Sequence, residues 1–162
     1  MEGIKIRRDA SAQRFKFKEY FQGFEKCSAV IEIFGKDTEK VLNNVTIEFN
    51  SRRNGYMGVS DVDGHIFIST YHLKNSNEEI IYLDIIHELF HVKQFMEGRD
   101  LFDPNYEYVD RPTEIEAYLH TVKEARRIGL DDKEIFDYLE TDWIDNNAHK
   151  RLASHVGVKL EK

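Results

Sequence analysis

The chain has 162 residues, 41% hydrophobic and 33% charged, with two prolines and no low-complexity tract, which is the profile of one globular domain, residues 1–162, long enough to bury a core. A net charge of −7 argues against a nucleic-acid partner, because phosphate binding needs a basic field. The single cysteine, Cys27, excludes an intramolecular disulfide and a cysteine-rich zinc site; no apolar run approaches the ~20 residues that span a bilayer.

The opening "MEGIKIRRDA" is charged and lacks the apolar region of a secretory signal, so a cytoplasmic protein with no membrane partner is expected. Residues 9 to 34 carry aromatics at partly helical spacing, namely Phe15, Tyr20, Phe21 and Phe24, which predicts a helix near 11–26. The apolar "SAVIEIFG" that follows reads as a strand. Between 45 and 70, "VTIEF", "YMGVS" and "HIFIST" are alternating or rich in β-branched and aromatic residues. The dipeptides "NG" (54–55) and "DG" (63–64) separate them. Both central residues of a type I′ turn need positive φ, so these dipeptides predict hairpins and a three-stranded antiparallel meander.

From residue 78 the pattern is helical. Ser76 and Glu79 stand at capping-box spacing, and Gly98 closes the run, giving a helix of about twenty residues. After the loop "RDLFDPNYEYVD", a second helix starts with Pro112 in its first turn and stops at Gly129. Asp131 with Glu134 opens a third, and a short helix spans 146–155. The expected fold class is α+β, a three-stranded or slightly larger sheet packed on two helices.

Within the first of these helices, "DIIHELFHVKQF" (84–95) places His87 and His91 four apart, on one helix face about one turn from each other. Burying two imidazoles costs free energy unless they find partners. One tetrahedral ion reached at Zn–N distances near ~2.0–2.1 Å would be such a partner. The alternative is a pair of histidines satisfied by nearby carboxylates. Glu88 points about 100° away around the helix, too far to ligate with them but suited to accept a proton from water in the ion's remaining position.

Two histidines need a third protein ligand to leave that position free. The next helix offers Glu114 and Glu116, about 200° apart, so only one can face the metal. Glu114 falls nearer the face formed by Ile115, Tyr118, Leu119, Val122 and Ala125 and is the expected ligand; Glu116 is the alternative.

"HELFH" followed by "PTEIEAY" resembles the gluzincin-type zinc metalloproteases, including the thermolysin-like and related small metallopeptidase families. The resemblance covers about 60 residues, from the strand at His65 to Gly129. It implies a zincin-like domain, a Zn2+ cofactor, a peptide or protein substrate, and hydrolysis with Glu88 as the general base. It also implies that a strand before the motif helix, here "HIFIS" (65–69), offers an edge to extended substrate; an internal strand is the alternative. An oxyanion-stabilising side chain is implied too, with Tyr106, Tyr108, Arg111 and Tyr118 as candidates. The chain departs from the family where an aspartate commonly follows the ligand glutamate by four residues: Tyr118 stands there. His120 would take that place if Glu116 were the ligand. His65, His72, His149 and His155 read as surface or core histidines. A competing reading is a zinc-stabilised binding or regulatory module without turnover, and a third is an α+β interaction protein without metal.

Overall fold

The computed structural model describes residues 1–53 and 55–160, and its buried apolar side chains join into one cluster. The first third differs from the expected single helix. Strand β1 (Lys5–Ile6) is followed by β2 (Arg14–Lys16), a one-turn helix α1 (Phe17–Tyr20), β3 (Phe21–Gln22) and a 3-10 turn at Phe24–Lys26. The aromatics pack on one another rather than along a helix face, with Phe17 5.3 Å from Phe21 and 5.6 Å from Phe24 between ring centroids. Gly23 stops any continuation: its φ is +91°, and a Cβ there would sit 2.1 Å from the Gly3 carbonyl oxygen, close enough that only glycine fits.

The expected strand "SAVIEIFG" is helix α2 (Ser28–Phe34). An apolar run this short carries no periodicity able to separate strand from helix. Packing decides it, since Ala29, Val30 and Ile33 are buried together while Ile31 is exposed. Helix α3 (Thr38–Asn44) leads into β4 (Thr46–Asn50). Next come β5 (Met57–Val59) and β6 (Ile66–Ser69).

The sheet has the order β2-β4-β6-β5. It is not the expected meander: β6 runs parallel to β4, pairing Ile47 with Ile66 and Phe49 with Ile68, and antiparallel to β5. The two central strands bury Ile47, Phe49, Ile66 and Ile68 almost completely, whereas β5 contributes three residues and buries only Val59. The more apolar strand therefore takes the interior and the short one the edge. The "DG" hairpin joins β5 to β6. Gly64 there has φ +77°, and a Cβ would meet the Phe95 ring at 2.5 Å, so this turn also seats the sheet against the next long helix. Asn54 of the "NG" turn lies outside the described residues.

A short helix α4 (Thr70–Asn75) follows β6 directly, with Ser69 Oγ accepting from the His72 backbone N–H. Helix α5 (Glu78–Met96) is capped one residue later than expected: Asn77, not Ser76, accepts from the Ile80 N–H at 2.9 Å. Ser76 instead closes α4, its N–H bonded to the His72 carbonyl. At the other end Gly98 has φ +77°, and the Arg99 N–H returns to the Gln94 carbonyl, a glycine-terminated Schellman stop.

Helix α5 is buried nearly all round, through Ile81, Tyr82, Leu83, Ile85, Ile86 and Leu89, as befits a central helix. It packs on α2, β5 and, most extensively, α6 (Pro112–Arg127). Helix α7 (Asp132–Leu139) carries the reciprocal Asp131–Glu134 capping box, and α8 (Asn146–His155) ends the fold. The architecture is thus mixed α+β. Among the described residues no helix is long and apolar enough to cross a membrane.

Candidate metal centre

Because α5 is central, polar residues on its α6-facing side are sequestered from water: His87, Glu88, His91 and Gln94 are all buried, as is Glu114 on α6. His87 Nε2 lies 3.1 Å from Glu114 Oε2, and His91 Nε2 lies 3.1 Å from Glu114 Oε1. The two Nε2 atoms are themselves 3.1 Å apart. A tetrahedral ion with bonds of about 2.0–2.1 Å holds its donors about 3.3–3.4 Å from one another. The two imidazole nitrogens stand near that separation, the Glu114 carboxylate spans them with one oxygen against each ring, and these residues could hold a metal ion.

The surroundings orient the donors. His91 Nδ1 is 2.7 Å from Gln94 Oε1, and the Gln94 amide donates in turn to the Thr113 carbonyl at 3.0 Å. With Nδ1–H committed to Gln94, it is Nε2 of His91 that is turned towards Glu114, the ring orientation that metal-binding histidines adopt once Nε2 gives up its proton. The His87 ring rests on Tyr118 with centroids 4.2 Å apart, so the residue four beyond Glu114 packs against the imidazole rather than hydrogen-bonding it. His87 Nδ1 has no hydrogen-bond partner among the described residues. Glu116 is far from this chemistry and forms a surface ion pair with Arg99, while His120 meets the Ala29 carbonyl.

Charge follows the geometry. Burial alone would raise Glu114, but His91 and His87 outweigh it and hold the carboxyl far below the usual range. Burial pulls His91 down, and the Glu114 charge and hydrogen bond reverse that, lifting it to about 9. Glu88 is pushed up to about 6 by burial, against the pull of His87 and His91. Its Oε2 is buried and has no partner among the described residues.

Glu88 and His87 line a cavity of about 240 Å³ whose walls also include Tyr108, Tyr118, Tyr56, His72, Asp84, Tyr138 and Trp143. Of the four oxyanion candidates, Tyr108 and Tyr118 reach it, with hydroxyls 2.8 Å apart. Burial, then the Glu114 charge, keeps both phenols protonated. Tyr106 is exposed, and Arg111 binds the Leu101 carbonyl at 3.3 Å; neither lines the cavity. The strand β6, expected to offer an edge, is interior; β2 and β5 are the edge strands, and Met57 of β5 borders the cavity.

One residue assigned to the bulk belongs here. His72 reaches Asp84 Oδ2 at 2.7 Å through Nε2 and Ser76 Oγ at 2.9 Å through Nδ1, while the Tyr138 hydroxyl donates to Asp84 Oδ1 at 2.7 Å. Asp84 was detectable, lying three residues before His87 on the same helix; His72 comes from α4, and nothing in its local sequence marks it. His149 stacks on Phe136 and bonds its carbonyl, His155 pairs with Asp110, and His65 sits between Glu48 and Asp63. None of these three lines the cavity. Comparison with protein-family models, curated proteins and solved structures returned no significant match.

Proposed function

We propose that the protein is a zinc-dependent peptidase of gluzincin type, with a zincin-like arrangement of β5, α5 and α6 about the cavity. The observation that carries this reading is the buried convergence of His87, His91 and Glu114 beside a buried carboxylate, Glu88, whose Oε2 has no partner among the described residues. Structural zinc sites are normally closed by four protein ligands, whereas catalytic ones use three. When bound, zinc supplies Lewis acidity, polarising a carbonyl and acidifying water.

The rest is the work of the chain. His87 and His91 present Nε2, the latter fixed by Gln94, and Glu114 supplies the negative charge that makes the site a cation trap. Glu88 accepts the proton of the attacking water at Oε2 and delivers it to the leaving amine, the role of a positioned carboxylate in general acid–base catalysis. Tyr108 and Tyr118, protonated hydroxyl donors on the cavity wall, stabilise negative charge developing on the carbonyl oxygen. The free side of β5 pairs with an extended peptide backbone, presenting it across the cavity.

Glu88→Gln tests the assignment. The variant is expected to bind one zinc with parental affinity while hydrolysis of a mixed peptide library falls at least 1,000-fold, read by elemental analysis and mass spectrometry. Hydrolysis surviving in Glu88→Gln would exclude the mechanism. Zinc bound stoichiometrically by a parent chain that cuts no peptide would favour a metal-stabilised module instead.

A further inference from the structure

The cavity that His87 and Glu88 line has a second group of acidic residues. Asp137, near the end of α7, and Glu140, which caps it, line the wall, yet no lysine or arginine does. Neither carboxylate joins an ion pair among the described residues. Asp84 on the same cavity, by contrast, has a histidine partner in His72.

Aromatic surface completes the same wall. Trp143 is 46% exposed, and its ring stands 5.4 Å from Tyr56 and 5.6 Å from Tyr108. Thr141, between Glu140 and Trp143, lines the cavity with a buried hydroxyl that has no partner among the described residues, as does Glu88 Oε2. Both side chains are more than nine-tenths buried, and a buried polar atom without a partner is costly unless a ligand satisfies it. Carboxylates set beside electron-rich ring faces suit an organic cation, which gains from both charge and ring quadrupole. A cavity of about 240 Å³ is below the ~300–1,000 Å³ usual for whole small-molecule ligands, which favours entry of one side chain.

We infer that the cavity selects peptides with a lysine or arginine adjacent to the scissile bond, the aliphatic stem lying on Tyr56 and Trp143 and the cationic head between Asp137 and Glu140. This specificity rests on the peptidase reading for its catalytic half and on the cavity alone for its binding half. A divalent cation beside Glu114 and Glu88 would offset their two charges, and Asp84 is already engaged by His72 and Tyr138, so Asp137 and Glu140 are the carboxylates left for a basic side chain to meet.

Blocked hexapeptides identical except for lysine, arginine, norleucine or glutamate on either side of the central bond provide the test. With zinc-loaded parent protein, kcat/KM for the lysine and arginine peptides is expected to exceed that for norleucine by about tenfold, and for glutamate by more. The lysine-to-norleucine ratio should fall towards one in the Asp137→Asn, Glu140→Gln double variant and in 0.5 M salt, where exposed charges are screened. A ratio near one in the parent, or one unchanged in the double variant, would overturn the inference.

A binding measurement separates this inference from the peptidase reading. Trp143 is the only tryptophan, so its fluorescence reports occupancy of the wall in zinc-loaded Glu88→Gln. Tighter binding of the lysine peptide than of norleucine, with no peptide cut by the parent, would retain the selective cavity and discard the peptidase; equal binding would discard the selectivity itself.

Discussion

Two polar clusters share one cavity, and they differ in how their hydrogen-bonding atoms are matched. Around Asp84 every group has a complement: Ser76 Oγ meets His72 Nδ1, His72 Nε2 meets one carboxylate oxygen, and Tyr138 donates to the other. Around Glu114 two imidazole nitrogens crowd to 3.1 Å and converge on one carboxylate, while His87 Nδ1 is left without a partner. The first cluster is complete as protein. The second becomes comfortable only when a positive charge, whether protons or a metal ion, is added between its members. Buried polar groups of the first kind rigidify a fold; a group of the second kind could hold a metal ion, one of the few ways to account for unmatched buried polar atoms.

The largest expected effect comes from removing that charge. Zinc at a thousandfold excess over its Kd should stabilise the fold by about 4 kcal/mol, a Tm rise of roughly 10 °C for a chain of this size, read by calorimetry with and without chelator. His87→Ala should abolish both the shift and the bound metal, whereas Glu116→Gln, which loses only its surface pair with Arg99, should leave both intact. Retention of zinc by His87→Ala would break the contrast between the clusters.

Next in size is damage to the self-sufficient cluster. Asp84→Ala strands His72 and Tyr138, and a destabilisation of about 3 kcal/mol is expected in denaturant titrations. Zinc should still bind, since none of the three donors is touched.

Acidity separates the clusters in a third way. In chelated protein the folded pKa of His91, about 9, lies above its unfolded value of about 6.5. That contribution is fully present below pH 6.5 and is lost as pH climbs through 9, costing about 3 kcal/mol. Glu114, held low in the fold, acts oppositely: its contribution is present above about pH 4.3 and lost on acidification. Zinc-loaded protein should lack the alkaline loss, because a metal-bound imidazole carries no proton to release. Denaturation midpoints from pH 6 to 10, with and without chelator, give the answer.

The smallest effect is the most local. Gln94→Ala should weaken zinc about 10–100-fold by freeing the His91 ring, measured by competition with a chromogenic chelator. Unaltered affinity would mean that Gln94 serves only to tie α5 to the Thr113 carbonyl.

Legibility from sequence tracked how local the determining contacts are. Helices α5 to α8 could be read because their stops and caps are written within a few residues, as with Asp131–Glu134 and Gly98. The "DG" turn was equally local and joins β5 to β6. The parallel pairing of β4 with β6 was not legible, since it depends on which strand buries more apolar surface after a nonlocal insertion. Nor was the opening third, where Gly23 meets Gly3 across the chain and aromatic stacking overrides helical spacing. The site divides the same way. His87, Glu88 and His91 are a spacing on one helix, and Glu114 follows from the face of the next. His72 arrives from α4, and the tyrosines that reach the cavity are chosen by the loop's path rather than by any motif.

The donors His91 and Glu114 stand on separate helices, with the connection from 97 to 111 strung between them. An ion held by both ties the chain into a ring between those points, restricting the unfolded ensemble as a covalent crosslink would. A protein with one cysteine cannot make such a link from its own thiols. It would acquire one that forms and dissolves with the supply of free metal, so that the lifetime of the folded chain would follow the metal content of its surroundings.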